Sequence, residues 1–521
     1  MRHVTYSCIV RRTDRYDGTI RAPPNSHGFD YDFRHTLHSD PVPLFVFDPS
    51  PIHNFGSGLA FDSHPGPVLD SALYPTLSSA INHNSNFNET EDTTTKIMAV
   101  FTSVLLVLVL CFKTATALLG DDDVAIPYAE PSSEIVDAIL IEDARLNFTQ
   151  LAGKYGYLVE EHTIVTEDKY KLKVFHITGK GRCNGTKYST PVVLQHGLVD
   201  SADTWLLAGP DAGLAYGLTD ACYDVWCASV RGDCYSRAHE TLDPDHDAQF
   251  WNFAFEEYGE IDLPSIIDYV IEQTDSEDVF YVGHSQGTSD FLIMTSTQED
   301  YNDRIRLAIL LAPAASLKHV KSKLLRLLAA GSPVLYEALN LTDVREIFGR
   351  KQPPHKIAAV LCTLVPDVAC TVPIMALAGD STNGISRKTK QILGDHYFCG
   401  SSTKNVIQCG QYINTGRFAR YDYGKEENLE LYGVHPPPEF DLSRVRTPVV
   451  LVVAQSDKLS VIADVNLLNA TLPNVLEYYV VPKPDWGHAS LVWNSELPVY
   501  VNSKIINYFN KYSDKANPLQ N

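Results

Sequence analysis

From about Glu160 onward, short β-branched apolar runs alternate with stretches of helical period. That alternation predicts a mostly parallel sheet with helices on both faces. Residues 164–177 read as strand on both sides of the polar break Glu167-Asp168-Lys169, which predicts an opening antiparallel hairpin. Buried strands are predicted at 191–195, 223–229, 279–282, 307–311, 449–453 and 476–481, with helices over 262–273 and 289–298 among the connections. Between about Ser316 and Phe440 the strand rhythm stops, and helical, Leu-rich, cysteine-bearing pieces replace it until Thr447. An insertion between two sheet strands is expected to lie over the strand C-terminal ends, where ligand sites of α/β proteins are found. The expected organisation is therefore a catalytic core in two parts, 130–315 and 441–515, interrupted by a cap with a lid at 316–440. No internal repeat is visible.

One apolar run stands apart from this pattern. Residues 97–112 carry no charge and are followed by Lys113 and by Ala115-Thr116-Ala117, a small-x-small cleavage pattern. The run is shorter than the ~20 residues a membrane span needs, so 98–117 reads as a secretory signal peptide. Met98 opens it, and translation is expected to begin there. Residues 1–97 then form an upstream extension, rich in Pro, His and Asp and without sustained period. A disordered tail ahead of a signal-anchor helix is the alternative. Cleavage after Ala117 leaves an even number of cysteines, namely Cys183, Cys222, Cys227, Cys234, Cys362, Cys370, Cys399 and Cys409. Such a set permits disulfides in an exported chain without fixing their connectivity. The sequons at Asn147, Asn184, Asn340 and Asn469 are candidate glycosylation sites in the same setting. Export to the outside or to the lysosomal lumen is the expected localisation.

Length and charge narrow the function. A single hydrophobic core stops growing near roughly 250–300 residues, so 521 residues call for a core plus an added part. The net charge of -22 disfavours nucleic acid and anionic membrane surfaces as partners, because phosphate binding needs clustered Lys and Arg. No CxxC pair or Cys/His cluster has zinc spacing, so neither a metal nor another cofactor is expected.

The chemistry concentrates at Gly283-His284-Ser285-Gln286-Gly287, a G-x-S-x-G pentapeptide placed directly after the apolar run 279–282 and before a helical stretch. Taken alone the pentapeptide could be a surface turn. Between strand and helix it presents a serine hydroxyl on a tight turn, and the glycines remove side chains that would clash there. Acyl transfer also needs two backbone N–H groups for the oxyanion. Gln286 supplies one and Leu198, in the Gln195-His196-Gly197-Leu198 loop after an earlier strand, supplies the other. An acid and a histidine must follow in that order. Asp457 ends the strand at 449–453, with Asp464 as a rival seven positions on. His488 follows the last strand. Ser285, Asp457 and His488 would then work as nucleophile, orienting acid and general base.

With these residues identified, the chain resembles the acid lipase family of α/β hydrolases, which includes gastric lipase, lysosomal acid lipase and insect digestive lipases. The resemblance rests on segments such as Tyr155-Gly-Tyr-Leu-Val-Glu-Glu-His162, Leu194-Gln-His-Gly-Leu198, Arg231-Gly-Asp-Cys-Tyr-Ser236, Trp251-Asn-Phe-Ala-Phe-Glu-Glu257 and Tyr421-Asp-Tyr-Gly424. It covers about Glu134 to Tyr512 and implies an α/β-hydrolase fold, the triad and oxyanion donors already named, and a lid near 349–377. It also implies a disulfide between Cys362 and Cys370. Departures occur: Asp233 stands where the family has Asn, and Ala489-Ser490 follow the histidine without the usual Asp-Phe. Cys399 and Cys409 are outside the common pattern and are expected to pair with each other. The cap residues Leu317, Val320, Leu324 and Leu328 recur at helical spacing, which suits either a lipid-facing stripe or packing on the core. Carboxylic esters of lipids, acylglycerols first, are the expected substrate, met in transient contact at a lipid–water interface with no obligate protein partner. A sterol-ester or short-chain carboxylesterase is the alternative within enzymes. A lipid-binding protein on a lipase fold is the alternative outside them, and the intact trio speaks against it.

Overall fold

The computed structural model describes residues 141–179, 190–341, 344–350, 353–381 and 383–513. The upstream extension, the export segment and the Asn184 sequon lie outside the described residues.

An eight-stranded sheet forms the centre. Its strands are β1 (Leu158–Val165), β2 (Lys171–Gly179), β3 (Val192–Gln195), β4 (Val225–Ala228), β5 (Val279–His284), β6 (Ile305–Leu311), β9 (Val449–Val453) and β10 (Val475–Val480). A small pair, β7 (Glu346–Ile347) and β8 (Ser401–Ser402), stands apart from it. The order across the large sheet is β1-β2-β4-β3-β5-β6-β9-β10. β1 and β2 form the antiparallel hairpin expected around Glu167-Asp168-Lys169, and every pairing from β4 onward is parallel. The central strands β3, β4, β5 and β9 are buried at every position. A parallel sheet covered on both faces requires this, and it explains why these strands read as unbroken apolar runs.

Alternate residues of each strand feed two separate cores. Val192, Leu194, Val225, Phe280, Val282, Val450 and Val452 pack on one face with residues of α1 (Phe148–Lys154), α2 (Leu214–Asp220) and the terminal helix Ser503–Ser513. Val193, Trp226, Tyr281, Leu310, Leu451 and Val453 pack on the other with α3 (Leu263–Thr274), α4 (Gln286–Thr297) and the helix Ile462–Thr471. β6 and β9 are neighbours in the sheet, yet 137 residues separate Leu311 from Val449, hence a long insertion between paired strands. It contains α5 (Lys323–Ala330), α6 (Ser332–Leu341), α7 (Pro353–Leu364), α8 (Val372–Ala378), α9 (Arg387–His396), α10 (Thr403–Thr415) and α11 (Lys425–Tyr432).

Two expectations need correction in this insertion. Cys399 is bonded to Cys234, not to Cys409, which is a free cysteine inside α10. The backbone explains the choice: at Gly400 the chain runs against the carbonyl of Gly232, 3.0 Å from where a Cβ would stand, and so brings Cys399 beside Cys234. The stripe at 317–328 is not one helical face. The helix begins only at Lys323, so Leu317 and Val320 are buried in the loop before it while Leu324 is exposed. Cys362 and Cys370 are disulfide-bonded, as the resemblance implies.

Candidate active site

The turn after β5 carries the first functional group. Ser285 has φ 52 and ψ -117, a conformation non-glycine residues adopt only at a cost of order 1–3 kcal/mol. The flanking glycines make the turn possible. A Cβ on Gly283 would sit 2.7 Å from the Gly287 carbonyl oxygen, and one on Gly287 would sit 2.6 Å from that of Gln195. Ser285 is half-exposed within a segment, 279–296, whose other residues are all buried. Its N–H donates to the Leu311 carbonyl at 3.0 Å, and its own carbonyl accepts from Thr288 N at 2.9 Å and Thr288 Oγ1 at 2.6 Å. The backbone of the turn is thus fixed on both sides, and the residue it carries stays half-exposed.

The loop after β3 lies directly alongside. A Cβ on Gly197 would stand 3.0 Å from Ser285 Cβ, so the loop that contains Leu198 abuts the serine. Gln286 opens α4, where the first-turn N–H groups have no helical partner. Its side chain exchanges two hydrogen bonds with Asn405 of α10, at 3.1 and 3.4 Å, and so ties the inserted segment to the serine turn.

Asp457 and His488 follow β9 and β10 and are joined to each other. Asp457 Oδ2 accepts from His488 Nδ1 at 2.8 Å, while Oδ1 accepts from the N–H groups of Leu459 and Ser460 at 2.7 and 2.9 Å. Both side chains are buried. Burial alone would lower the His488 pKa, but the facing Asp457 carboxylate outweighs it and holds the imidazole above its ordinary value. Asp464 is engaged elsewhere, accepting from His319 N at 2.9 Å and bonding His319 Nδ1 at 2.6 Å. Residue 284, next to the serine, bridges the two halves. His284 Nε2 donates to the His488 carbonyl at 3.2 Å, and the two rings lie 4.9 Å apart. Ser285 and His488 therefore share one neighbourhood at the C-terminal ends of the parallel strands. No Ser285–His488 hydrogen bond is formed among the described residues, a contact that in substrate-free hydrolases is often long and tightens in the complex.

Sequence reasoning missed one residue here. Asp380, two positions beyond α8, is 1% exposed and faces the histidine loop. Its Oδ1 accepts from Gly487 N, Ser490 N and Ser490 Oγ at 3.2, 2.7 and 2.6 Å, and its Oδ2 accepts from Ala489 N at 3.0 Å. Nothing in the local sequence distinguishes this aspartate from a solvated one, because its partners lie over a hundred positions away.

A serine on a strained strand-to-helix turn, a loop against it after β3, and an Asp–His pair after two later strands define an α/β hydrolase built for acyl transfer. The alpha/beta hydrolase fold family profile matches residues 190–495, and that of the partial alpha/beta-hydrolase lipase region matches residues 148–209. Lipase 1 of Drosophila melanogaster is 35% identical over 355 residues, 68% of this chain and 77% of that protein. Gastric triacylglycerol lipase of Bos taurus is 31% identical over 373 residues, 70% of this chain and 91% of that protein. Lipase member M of Homo sapiens is 30% identical over 374 residues, 70% and 85% of the two chains. The chain belongs to the acid lipase family of α/β hydrolases.

Proposed function

We propose that this protein is a serine lipase that hydrolyses acylglycerols through an acyl-enzyme on Ser285. The observation that carries the reading is the buried Asp457–His488 hydrogen bond beside a serine held at positive φ. In the reaction, His488 Nε2 takes the proton from Ser285 Oγ as the oxygen attacks the ester carbonyl. The resulting oxyanion is met by the backbone N–H groups of Leu198 and Gln286. Asp457 stabilises the imidazolium, which passes its proton to the departing alcohol. Water then enters, loses a proton to His488 and releases the fatty acid, restoring Ser285.

The inserted helices act as a cap, and α7 to α8 act as its lid. Leu361, Leu364, Val365, Val368 and Val372 are exposed along this stretch, an apolar surface suited to a lipid–water interface. The protein works in a secreted or lysosomal setting; among the described residues no helix is long and apolar enough to cross a membrane. Asn147 and Asn469 are exposed and accept glycans there. Asn147 also caps α1 by accepting from Gln150 N through its side-chain oxygen, which leaves the amide nitrogen for the sugar.

The test compares tributyrin, triolein and cholesteryl oleate across pH, with Ser285→Ala as the blank. Triolein and tributyrin turnover well above the blank is expected, together with organophosphonate labelling that Ser285→Ala abolishes. Preference for cholesteryl oleate would overturn the acylglycerol assignment. Absence of both turnover and labelling would overturn the hydrolase itself.

A further inference from the structure

The far edge of the sheet carries a second constellation, on β1 and β2, separated from the serine strand by β4 and β3. On β1, Glu160 and His162 project from the same face, two residues apart. On β2, His176 is the direct cross-strand partner of Glu160. The three side chains converge. Glu160 Oε2 lies 3.9 Å from His162 Nε2 and 3.8 Å from His176 Nδ1, and the three donor atoms all fall within 4.8 Å of one another.

The outer nitrogens of both rings are already engaged. His176 Nε2 bonds Asp224 Oδ1 at 2.5 Å, and His162 Nδ1 bonds the Tyr269 hydroxyl at 2.9 Å. The rings are also packed. His176 stacks on Trp226 at 4.0 Å with an interplanar angle of 4°, and His162 lies 4.9 Å from the same indole. Each imidazole is therefore oriented with its remaining nitrogen toward Glu160. For His162 that nitrogen is buried and has no hydrogen-bond partner. An orphaned buried imidazole nitrogen, a second one facing it and a carboxylate between them make a donor set that suits a cation.

We propose that Glu160, His162 and His176 bind one divalent transition metal of the zinc type, with water at the fourth position. Two imidazoles and one carboxylate are the ligands zinc accepts, at bonds of about 2.0–2.2 Å in a tetrahedron, which sets the donor atoms roughly 3.4 Å apart. The metal draws the present cluster in to that spacing, and the 64% exposed Glu160 side chain adapts most easily. Asp224 and Tyr269 are the outer partners that fix ring tautomer and direction, the arrangement that metal-ligating histidines use. Asp224 immediately precedes β4 and Tyr269 lies on α3, so the bound ion clips the opening hairpin to both the sheet and the helix behind it. The absence of any Cys/His run with zinc spacing predicts no metal, because these ligands come together only across a hairpin.

The experiment uses the full exported chain without a histidine tag, stripped of metal by chelator. Cobalt titration should give visible d–d bands of a four-coordinate site at one equivalent per chain, and zinc should displace them. Asp224→Asn should weaken zinc binding about 10–100-fold, as loss of an outer partner does. His162→Gln and Glu160→Gln should abolish the cobalt spectrum while circular dichroism and ester turnover stay at wild-type values. Equal cobalt spectra in wild type and His162→Gln would put the ion elsewhere and overturn the proposal. Failure of the wild type to bind an equivalent of cobalt or zinc would overturn it as well.

Discussion

Replacing Asp380 by Asn keeps the shape of the side chain and removes its charge. In the wild type one carboxylate collects three backbone N–H groups and one hydroxyl from residues 487–490, the loop that holds His488. The same segment is wedged further: the Ala378 carbonyl accepts from Lys458 N at 3.1 Å and from His488 N at 3.4 Å, so it touches the acid turn and the histidine loop together. Asparagine keeps one acceptor oxygen and turns an NH2 group toward the remaining donor, Ala489 N or the Gly487/Ser490 set. Losing charge assistance on the retained bonds and leaving a buried N–H unpaired amounts to about 3 kcal/mol of loop anchoring. A histidine displaced by about 1 Å costs on the order of 100-fold in rate, so kcat should fall by that order with KM nearly unchanged. The pH profile should move too. Burial lowers the His488 pKa, and Asp457 first and Asp380 after it raise it. In the proposed mechanism the neutral imidazole is the base, so removing one of those anions lowers its pKa and carries the acid limb of kcat/KM to lower pH. Steady-state kinetics on a soluble ester from pH 4 to 9, with thermal melts of both proteins, would read this out. A folded Asp380→Asn enzyme with kcat within about twofold of wild type, or with an unmoved acid limb, refutes the argument.

Two further outcomes follow from the packing. Gly287→Ala places a methyl 2.6 Å from the Gln195 carbonyl and 2.7 Å from that of His196, both backbone atoms, so it should cost about 1–3 kcal/mol or more in chemical denaturation and depress turnover by moving the loop after β3 that abuts Ser285. Gly153→Ala, exposed in α1 with nothing within 4 Å of the new carbon, should be neutral or stabilise by up to about 1 kcal/mol in the same assay. Glu256→Gln tests a buried acid whose pKa is pushed up to about 7 by burial and the neighbouring Glu257, and whose Oε2 has no partner. Between the unfolded value near 4 and the folded value near 7 the native state holds a proton that the unfolded chain has lost, so this group's contribution to stability falls as pH rises through that window and is flat above it; Gln should remove up to about 3 kcal/mol of that slope in denaturation midpoints between pH 4.5 and 8, and parallel curves for the two proteins would refute it.

Legibility in the sequence tracked how local each constraint is. A strand buried on both faces must be apolar throughout, so 449–453 could be read to the residue and the other core strands to within about two residues at either end. The serine turn is equally local, since Gly283 and Gly287 each answer a clash that the turn itself creates. That Asp457 and His488 come together was legible one step less directly, from their places after two parallel strands. Where partners are distant, that logic fails. Cys399 is ten residues from Cys409 but pairs with Cys234 across a separation of 165, because loop crossing and not chain proximity decides which thiols meet. The stripe from Leu317 to Leu328 has helical spacing without a helix over its first half, since packing of Leu317 and Val320 into the core outweighs their periodicity.

Asp380 and the Glu160–His162–His176 cluster carry this one step further. Each consists of ordinary polar residues whose local sequence gives no signal, and each acquires its character from backbone or rings contributed by another element. The consequence for the site is physical. The backbone that holds His488 is bonded to a carboxylate of the inserted segment, and Gln286 of the serine turn is bonded to Asn405 of the same insertion. The serine turn and the histidine loop are thus both anchored outside the sheet that presents them. If the proposed mechanism holds, deleting the insertion removes the anchor of the histidine loop, so a variant without it should lose turnover even on small soluble esters.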